Sequence, residues 1–162
     1  MAWTILGNEL IGQAINETST TQKHPLGTIV RAKDPTYGSG EFIYLKGIGS
    51  TVVGSWVTYN VTPGTTALLA PNAIGPVAVA MSANVASQYG WYQISGDALA
   101  KAADVADSGK VYIDTASGVC DDAVVVGDRV NNAKWTSAED TATSLASVYI
   151  SRPFVTDQKD AT

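Results

Sequence analysis

The stretch that most constrains the fold is Gln88-Tyr89-Gly90-Trp91-Tyr92-Gln93-Ile94-Ser95-Gly96. Its aromatic and β-branched side chains favour a strand, and its glycines permit turns that other residues resist. Side chains alternate along a strand, so this stretch would present large side chains on both faces. One face would carry Tyr89, Trp91 and Gln93, and the other Tyr92 and Ile94. We therefore expect a central strand, covered by a second sheet or by a barrel that closes on itself.

Short runs of aromatic and β-branched residues recur at a spacing of roughly ten residues, with glycine or proline turns between them. The clearest runs are 28–33, 41–46, 54–60, 77–81, 109–114 and 145–150. This pattern predicts one all-β domain over about residues 28–152, a small β-barrel or β-sandwich. We expect its core to contain Phe42, Tyr44, Trp56, Val79, Trp91, Ile94, Val111, Ile113, Val125 and Val148.

Two shorter segments lie between these runs. Residues 97–107 are rich in alanine, which favours a helix, although strands of small residues also occur in tightly packed β proteins. The sequence leaves helix and strand open there. Asn131-Asn132 is typical of a hairpin tip.

The two ends of the chain differ from this body. Residues 1–27 combine a few apolar side chains with a polar run rich in Thr and Ser, and Pro25 and Gly27 indicate a turn. We expect an extended N-terminal arm that does not fold by itself, and a flexible terminus without a role is the alternative. Residues 153–162 begin with a proline and continue as a polar tail that we expect to fray.

Charge and cysteine content limit the partners of this chain. The 162 residues include ten Lys and Arg and carry a net charge of −5, so the overall electrostatics give no reason to expect nucleic-acid binding. The sequence has no apolar run of about 20 residues and no signal-peptide pattern, so we expect synthesis in a cytoplasm and no membrane partner. Cys120 is the only cysteine, which excludes an intramolecular disulfide.

Residues that commonly carry catalysis or bind metals are sparse. His24 is the single histidine and has no cysteine or acidic cluster beside it, so we expect a surface contact rather than a base. The aspartates between residues 104 and 122 are dense, but their spacing lacks the pattern of a calcium loop. Nucleotide-binding and hydrolase motifs are not present. We therefore expect no catalytic residue, no cofactor and no metal site.

The N-terminal arm carries most of the residues that we expect to contact a partner. Its apolar side chains would gain nothing from exposure on a free tail, so a neighbouring subunit would cover them. Nearby basic side chains would add complementary charge. The expected contact residues are Trp3, Ile5, Leu6, Leu10, Ile11, Lys23, His24, Arg31 and Lys33. Because the periodic strands all lie beyond the arm, we expect the body to fold without residues 1–22.

Several segments together resemble a family of small tailed-bacteriophage head proteins. They are residues 23–27, 40–47, 54–59 and 90–96 and the closing Arg152-Pro153-Phe154, and the similarity covers most of residues 23–155. The plan of strands and glycine turns is similar to that of capsid cement (decoration) proteins, which clamp the outer surface of an expanded shell. The resemblance implies a structural, non-enzymatic virion protein whose partner is the major capsid protein. It carries no catalytic residues over to this chain.

Further expectations follow from that resemblance. We expect a homotrimer, with a dimer as the alternative, on the capsid surface of a virion, after synthesis in the host cytoplasm. The acidic character favours the outer surface, because a protein inside the shell would meet packaged DNA. The alternative function is a minor tail or head-fibre component with a receptor- or glycan-binding role, which the four tryptophans suggest.

Overall fold

The computed structural model describes residues 2–6 and 12–157, and these residues form eleven strands and no helix. The all-β prediction is therefore confirmed. The strands are β1 (Thr4–Leu6), β2 (Ile29–Asp34), β3 (Gly38–Lys46), β4 (Trp56–Asn60), β5 (Thr65–Leu68), β6 (Gly75–Ala80), β7 (Tyr89–Lys101), β8 (Lys110–Ile113), β9 (Cys120–Asp121), β10 (Arg129–Trp135) and β11 (Leu145–Val155). All of them belong to one hydrogen-bonded sheet.

Strand β7 is the centre of this sheet. Its first half pairs with β3 and its second half with β11, both antiparallel. The change of partner falls at Gly96, whose φ of +100° lies in a region that glycine adopts readily. A Cβ atom at this position would lie 2.5 Å from the carbonyl oxygen of Ser39. Glycine therefore allows β7 to pass closely from one partner strand to the next.

The strand pairings return on themselves on both sides of β7. On one side the neighbours run from β3 through β5, β4 and β6 back to β7, and the step from β3 to β5 rests on the pair Lys46 and Thr65. On the other side they run through β11, β10, β8 and β9, and a single bridge joins Cys120 to Ala102 just after β7. Each closure of the sheet, between β3 and β5 and between Cys120 and Ala102, rests on a single residue pair. The choice between a barrel and a sandwich therefore stays a prediction.

Buried side chains form three clusters, and β7 contributes to each. The inner cluster contains Ile43, Leu45, Val57, Ala78, Ala80, Tyr92 and Ile94. The covered cluster contains Ile15, Val30, Ala32, Phe42, Tyr44, Met81 and Trp91. The main cluster includes Ala98 and Ala100 of β7 together with Trp56 and Trp135. Trp91 and its neighbour Tyr92 thus point to opposite sides of β7, so the predicted alternation is confirmed.

Residues 12–27 lie against the outer face of β3 and β7 and give the covered cluster its name. Ile15 is 1% exposed inside this cluster. The backbone oxygen of Gln13 accepts a hydrogen bond of 3.0 Å from Nε1 of Trp91. This part of the N-terminal arm therefore packs on the body of its own chain.

The predicted core is confirmed for nine of its ten residues, and Val125 is the exception. Val125 is 41% exposed in the loop between β9 and β10, so its assignment to the core is wrong. The loop lies between Asp121-Asp122 and Gly127-Asp128, pairs that favour turns over a buried strand.

The structure also differs from the sequence-based expectation at three other places. Residues 97–101 continue β7, because Asp97 to Lys101 pair with β11, and the helix alternative for 97–107 is wrong. Asn131-Asn132 lies inside β10 at a register shift, so the hairpin-tip prediction is wrong. Residues 153–155 belong to β11, so the strand extends three residues into the expected tail.

Candidate interaction surface

Trp3 and Ile5 lie against the protein's own core. The ring of Trp3 meets that of Phe42 edge-on, with 4.8 Å between the centroids. Both Trp3 and Ile5 pack against the covered cluster. The reason for expecting an outside neighbour therefore does not hold for these two residues. Leu6 points to the other face of β1 and is 45% exposed. Leu10 and Ile11 lie outside the described residues.

Lys23 and His24 belong to the segment that lies on the covered cluster. The backbone N–H of Lys23 donates to the hydroxyl of Tyr44 at 3.1 Å, while its side chain is exposed. The ring of His24 lies 5.1 Å from that of Tyr44 and 5.2 Å from that of Trp91, centroid to centroid. Nε2 of His24 accepts a hydrogen bond from the backbone N–H of Gly12 at 3.3 Å. Burial lowers the pKa of His24. His24 therefore contacts its own chain.

Arg31 and Lys33 lie on the exposed face of β2, opposite the covered cluster. This strand alternates, so that both basic side chains are exposed while Val30 and Ala32 are buried. Residues directly opposite each other in neighbouring strands share a face, and the strand register therefore extends this surface. One row of such residues crosses five strands through Leu6, Arg31, Glu41, Ser95 and Ser151.

The same surface continues over β10 and β8. Tyr149 of β11 lies opposite Lys134, and Lys134 lies opposite Lys110. Arg129 lies opposite Tyr112, which is two residues from Lys110 and so points to the same side of β8. We call this surface the basic face. Its positive side chains are Arg31, Lys33, Lys101, Lys110, Arg129, Lys134 and Arg152.

The basic face is positive although the chain is acidic. It holds seven of the ten Lys and Arg, and six of these seven are exposed. The acidic strand residues on this face are Glu41, Asp97 and Asp121. Burial, followed by the carboxylates of Asp114 and Asp122, raises the pKa of Asp121. Among the strand residues of this face, seven positive side chains therefore stand against three carboxylates.

A groove of about 360 Å³ crosses the basic face between β1 and β11. Its polar side chains are Arg31, Glu41, Arg152, Ser39, Ser95 and Ser151. Glu41 bridges the two arginines, with its Oε1 3.3 Å from Nε of Arg31 and its Oε2 2.9 Å from Nη2 of Arg152. Arg152 has a φ of +49°, an uncommon conformation for a residue other than glycine. This residue lies where β11 changes its partner from β7 to β6.

An exposed apolar loop adjoins the basic face. Val124, Val125 and Val126 between β9 and β10 are 75%, 41% and 63% exposed, and we call them the valine loop. The loop lines a second hollow together with Lys110 and Arg129. Three consecutive exposed apolar residues are uncommon on a protein surface unless a partner covers them. The flanking Asp-Asp and Gly-Asp pairs are the sequence signal that identifies a loop here.

Metal-binding side chains are not clustered in residues 2–6 and 12–157, and the single cysteine lies in the core. In these residues no group of three or more His, Cys, Asp or Glu is arranged to hold a metal ion. Cys120 is buried in the main cluster, and burial, followed by the charges of Asp121 and Asp114, raises its thiol pKa well above the ordinary value. That environment suits the predicted core role and disfavours a nucleophile. The described strands and loops include no helix that is long and apolar enough to cross a membrane.

Comparisons with known proteins give no direct indication of function. Protein families, curated proteins and solved structures were compared with this chain, and none matches it. The function is therefore inferred from the basic face, its groove and the valine loop, together with the sequence resemblance.

Proposed function

We propose that this protein is a structural, non-enzymatic component of a bacteriophage virion that binds the outer surface of the capsid and stabilises it, as a cement or decoration protein. The basic face is the observation that carries the proposal. The resemblance to tailed-phage head proteins supports it as well, since most of the segments that carry it lie outside the basic face. The protein would reach the capsid surface after synthesis in the host cytoplasm.

The charge distribution favours one orientation on an acidic partner. Six exposed positive side chains lie on one face of paired strands, where the strand carboxylates number three. A single exposed ion pair contributes only about 0–1 kcal/mol, so the face acts through its number of charges. Complementary charge mainly raises the association rate and fixes the register. The adjoining valine loop supplies the apolar area that the centre of an interface commonly has.

This contact differs from the one that the N-terminal sequence suggests. Trp3 and Ile5 cover their own core, whereas Leu6, Arg31 and Lys33 remain on the surface. Those three residues lie at one end of the basic face. The capsid contact is therefore proposed on the body, with β1 and β2 at its margin.

We propose the major capsid protein as the main partner, and other copies of this chain as the second. The homotrimer, with a dimer as the alternative, rests on the resemblance to cement proteins. Native mass spectrometry of the purified protein measures the state directly. A trimer is the expected result, and a monomer at high concentration would contradict it.

The tryptophans favour the shell over the tail or head fibre. A glycan-binding platform needs an exposed aromatic ring, but Trp56, Trp91 and Trp135 are each 0% exposed. Trp3 is partly buried and packs against Phe42. The tryptophan rings that suggested a receptor- or glycan-binding role are thus packed inside the protein or against its core.

The decisive experiment is attachment to expanded shells that lack the protein, measured by cosedimentation and by electron microscopy. Arg129→Glu combined with Lys134→Glu reverses two charges on the basic face, and we expect attachment to fall steeply. Lys23→Glu combined with Lys46→Glu is the matched control, because it changes the net charge equally outside that face. Raised salt should weaken attachment of the unchanged protein, since exposed charges are screened.

Two outcomes would contradict the proposal. Equal loss in both double variants would show that net charge, and not the basic face, controls attachment. Binding of the unchanged protein to duplex DNA but not to shells would identify the basic face as a nucleic-acid surface.

A further inference from the structure

We propose that the groove on the basic face binds a carboxylate side chain of an acidic protein segment between Arg31 and Arg152, and that Glu41 occupies this place in the unbound protein. The inference rests on the proposed function in one respect, because the segment would belong to the capsid protein. The groove chemistry itself is independent of that assignment.

The two arginines have donors beyond those that Glu41 uses. A guanidinium group carries five N–H donors. In the described residues Arg31 donates through Nε and Arg152 through Nη2, and both hydrogen bonds go to Glu41. Their side chains are 74% and 60% exposed, whereas that of Glu41 is 21% exposed. The groove therefore presents two accessible guanidinium groups around one carboxylate.

The observed contacts are weaker than the arginine–carboxylate arrangement that proteins commonly use. Each arginine meets Glu41 through one nitrogen, at 3.3 Å and 2.9 Å. A bidentate pair with two parallel N–H donors is stronger and more specific. An incoming carboxylate can form that arrangement with either guanidinium group, and two positive charges against one negative leave a net attraction for it.

The backbone around Arg152 orients its side chain across the strands. Arg152 takes a left-handed conformation within β11, and the residue that it reaches is 111 positions earlier in the chain. With this backbone conformation, the guanidinium group of Arg152 lies over β3, where its Nη2 is 2.9 Å from Oε2 of Glu41.

The lining of the groove favours a peptide side chain over a sugar. Its neutral polar groups are the hydroxyls of Ser39, Ser95 and Ser151, and no aromatic ring is among its lining residues. Glu41 shows that a glutamate carboxylate fits between the arginines. Strands β2, β3, β7 and β11, which carry the two arginines, Glu41 and the three serines, are paired with one another beneath the groove, so recognition between the arginines would use side chains and not an added strand.

Nuclear magnetic resonance of the arginine Nε–H groups tests the inference on the isolated full-length protein. The probe is tetraglutamate peptide blocked at both ends, with blocked tetraglutamine and glucuronate as the comparison ligands. We expect saturable shifts at Arg31 and Arg152 with tetraglutamate only. Saturable shifts with glucuronate, but none with tetraglutamate, would overturn the assignment to an acidic peptide.

Substitution of Glu41 tests most directly whether this residue competes with a bound peptide. Glu41→Gln removes the internal competitor, so binding of tetraglutamate should tighten, by up to about thirtyfold if each of the two lost contacts resembles an ordinary exposed ion pair. Arg152→Gln should weaken binding, while Arg129→Gln outside the groove should change it little. Weaker binding in Glu41→Gln, or equal loss in the two arginine variants, would overturn the inference. Circular dichroism confirms that each variant is folded.

The same variants separate this inference from the proposed function. Failure of peptide binding, with shell attachment still lost on reversal of Arg129 and Lys134, would remove the groove site and keep the capsid role. Peptide binding in the groove without any attachment to shells would keep the site and remove the capsid role.

Discussion

Gln13→Ala tests whether residues 12–27 are part of the folded body. The side chain of Gln13 is 3% exposed. Its Nε2 donates to the carbonyl oxygens of Glu17 and Tyr89, each at 2.8 Å, and its Oε1 accepts from the hydroxyl of Tyr44 at 2.6 Å. Alanine removes these three hydrogen bonds but keeps the backbone oxygen that accepts from Trp91.

The expected loss of stability depends on which hydrogen bonds the former partners of Gln13 retain in the variant. The hydroxyl of Tyr44 still accepts from the backbone N–H of Lys23, and the carbonyl of Tyr89 still accepts from that of Ser19. The carbonyl of Tyr89 keeps a hydrogen bond and that of the exposed Glu17 can turn to water, but the buried O–H donor of Tyr44 loses its acceptor. At about 1 kcal/mol for each lost bond, and no less for the unpaired donor, the total is at least about 3 kcal/mol. We expect Gln13→Ala to lower the free energy of unfolding by at least this amount. At about 2–4 °C per kcal/mol for a chain of this size, the melting temperature would fall by about 6–12 °C or more.

Urea unfolding followed by tryptophan fluorescence measures this loss. Gln22→Ala is the matched control, because Gln22 lies in the same segment but is exposed and makes one side-chain hydrogen bond, to the carbonyl of His24. We expect the control to change stability by less than about 0.5 kcal/mol. Equal, small effects of both variants would refute the packing described for this segment. The body would then fold without residues 1–22, as the sequence suggested, whereas the contacts of Gln13 and Ile15 predict that this deletion destabilises it.

Three further predictions concern single sites. Gly96→Ala should cost at least about 2 kcal/mol, because of its positive φ and the 2.5 Å approach of a Cβ atom to Ser39; an unchanged urea midpoint would contradict this. Val125→Asp should change stability by less than about 0.5 kcal/mol, since the side chain is exposed, and a loss above about 2 kcal/mol would restore its assignment to the core. Burial lowers the pKa of His24, so its contribution to stability is complete above the unfolded pKa of about 6.5 and declines as the pH falls through that value towards the folded one. Melting temperatures across this range should therefore fall less in His24→Gln than in the unchanged protein, and identical profiles would contradict the assignment.

Features that depend on a few neighbouring residues were predictable from the sequence. The alternation of Trp91 and Tyr92 across β7 follows from the period of a strand, whatever the partner strands are. Glycine turns likewise separate the strands where expected. The division of the buried side chains into three clusters was not predictable, because it depends on Gly96 passing β7 from β3 to β11.

The basic face was only partly predictable. Arg31 and Lys33 are two residues apart, so their shared exposure is visible in the sequence. Lys110, Arg129 and Lys134 join them through the pairing of β8, β10 and β11, which no local pattern determines. Charge patterns of β proteins therefore become readable only when the strand register is known.

Local composition misled where tertiary pairing decides the structure. The alanines of residues 97–101 have high helix propensity, yet they form a strand because β11 provides a full ladder of partners. The valine loop has high strand propensity, yet its flanking turns leave it without a place in the sheet.

Strand β11 has a consequence for biosynthesis. It is the last strand among residues 12–157, yet it lies inside the sheet between β7 and β10. At about 5–20 residues per second, a ribosome needs roughly 1–4 s to pass from the end of β10 to the end of β11. During that interval β7 and β10 present unpaired edges, which can pair with other nascent chains. We expect a chain that stops at residue 144 to aggregate and one that stops at residue 157 to stay in the supernatant of a cell extract, so the final strand would set the yield of soluble protein.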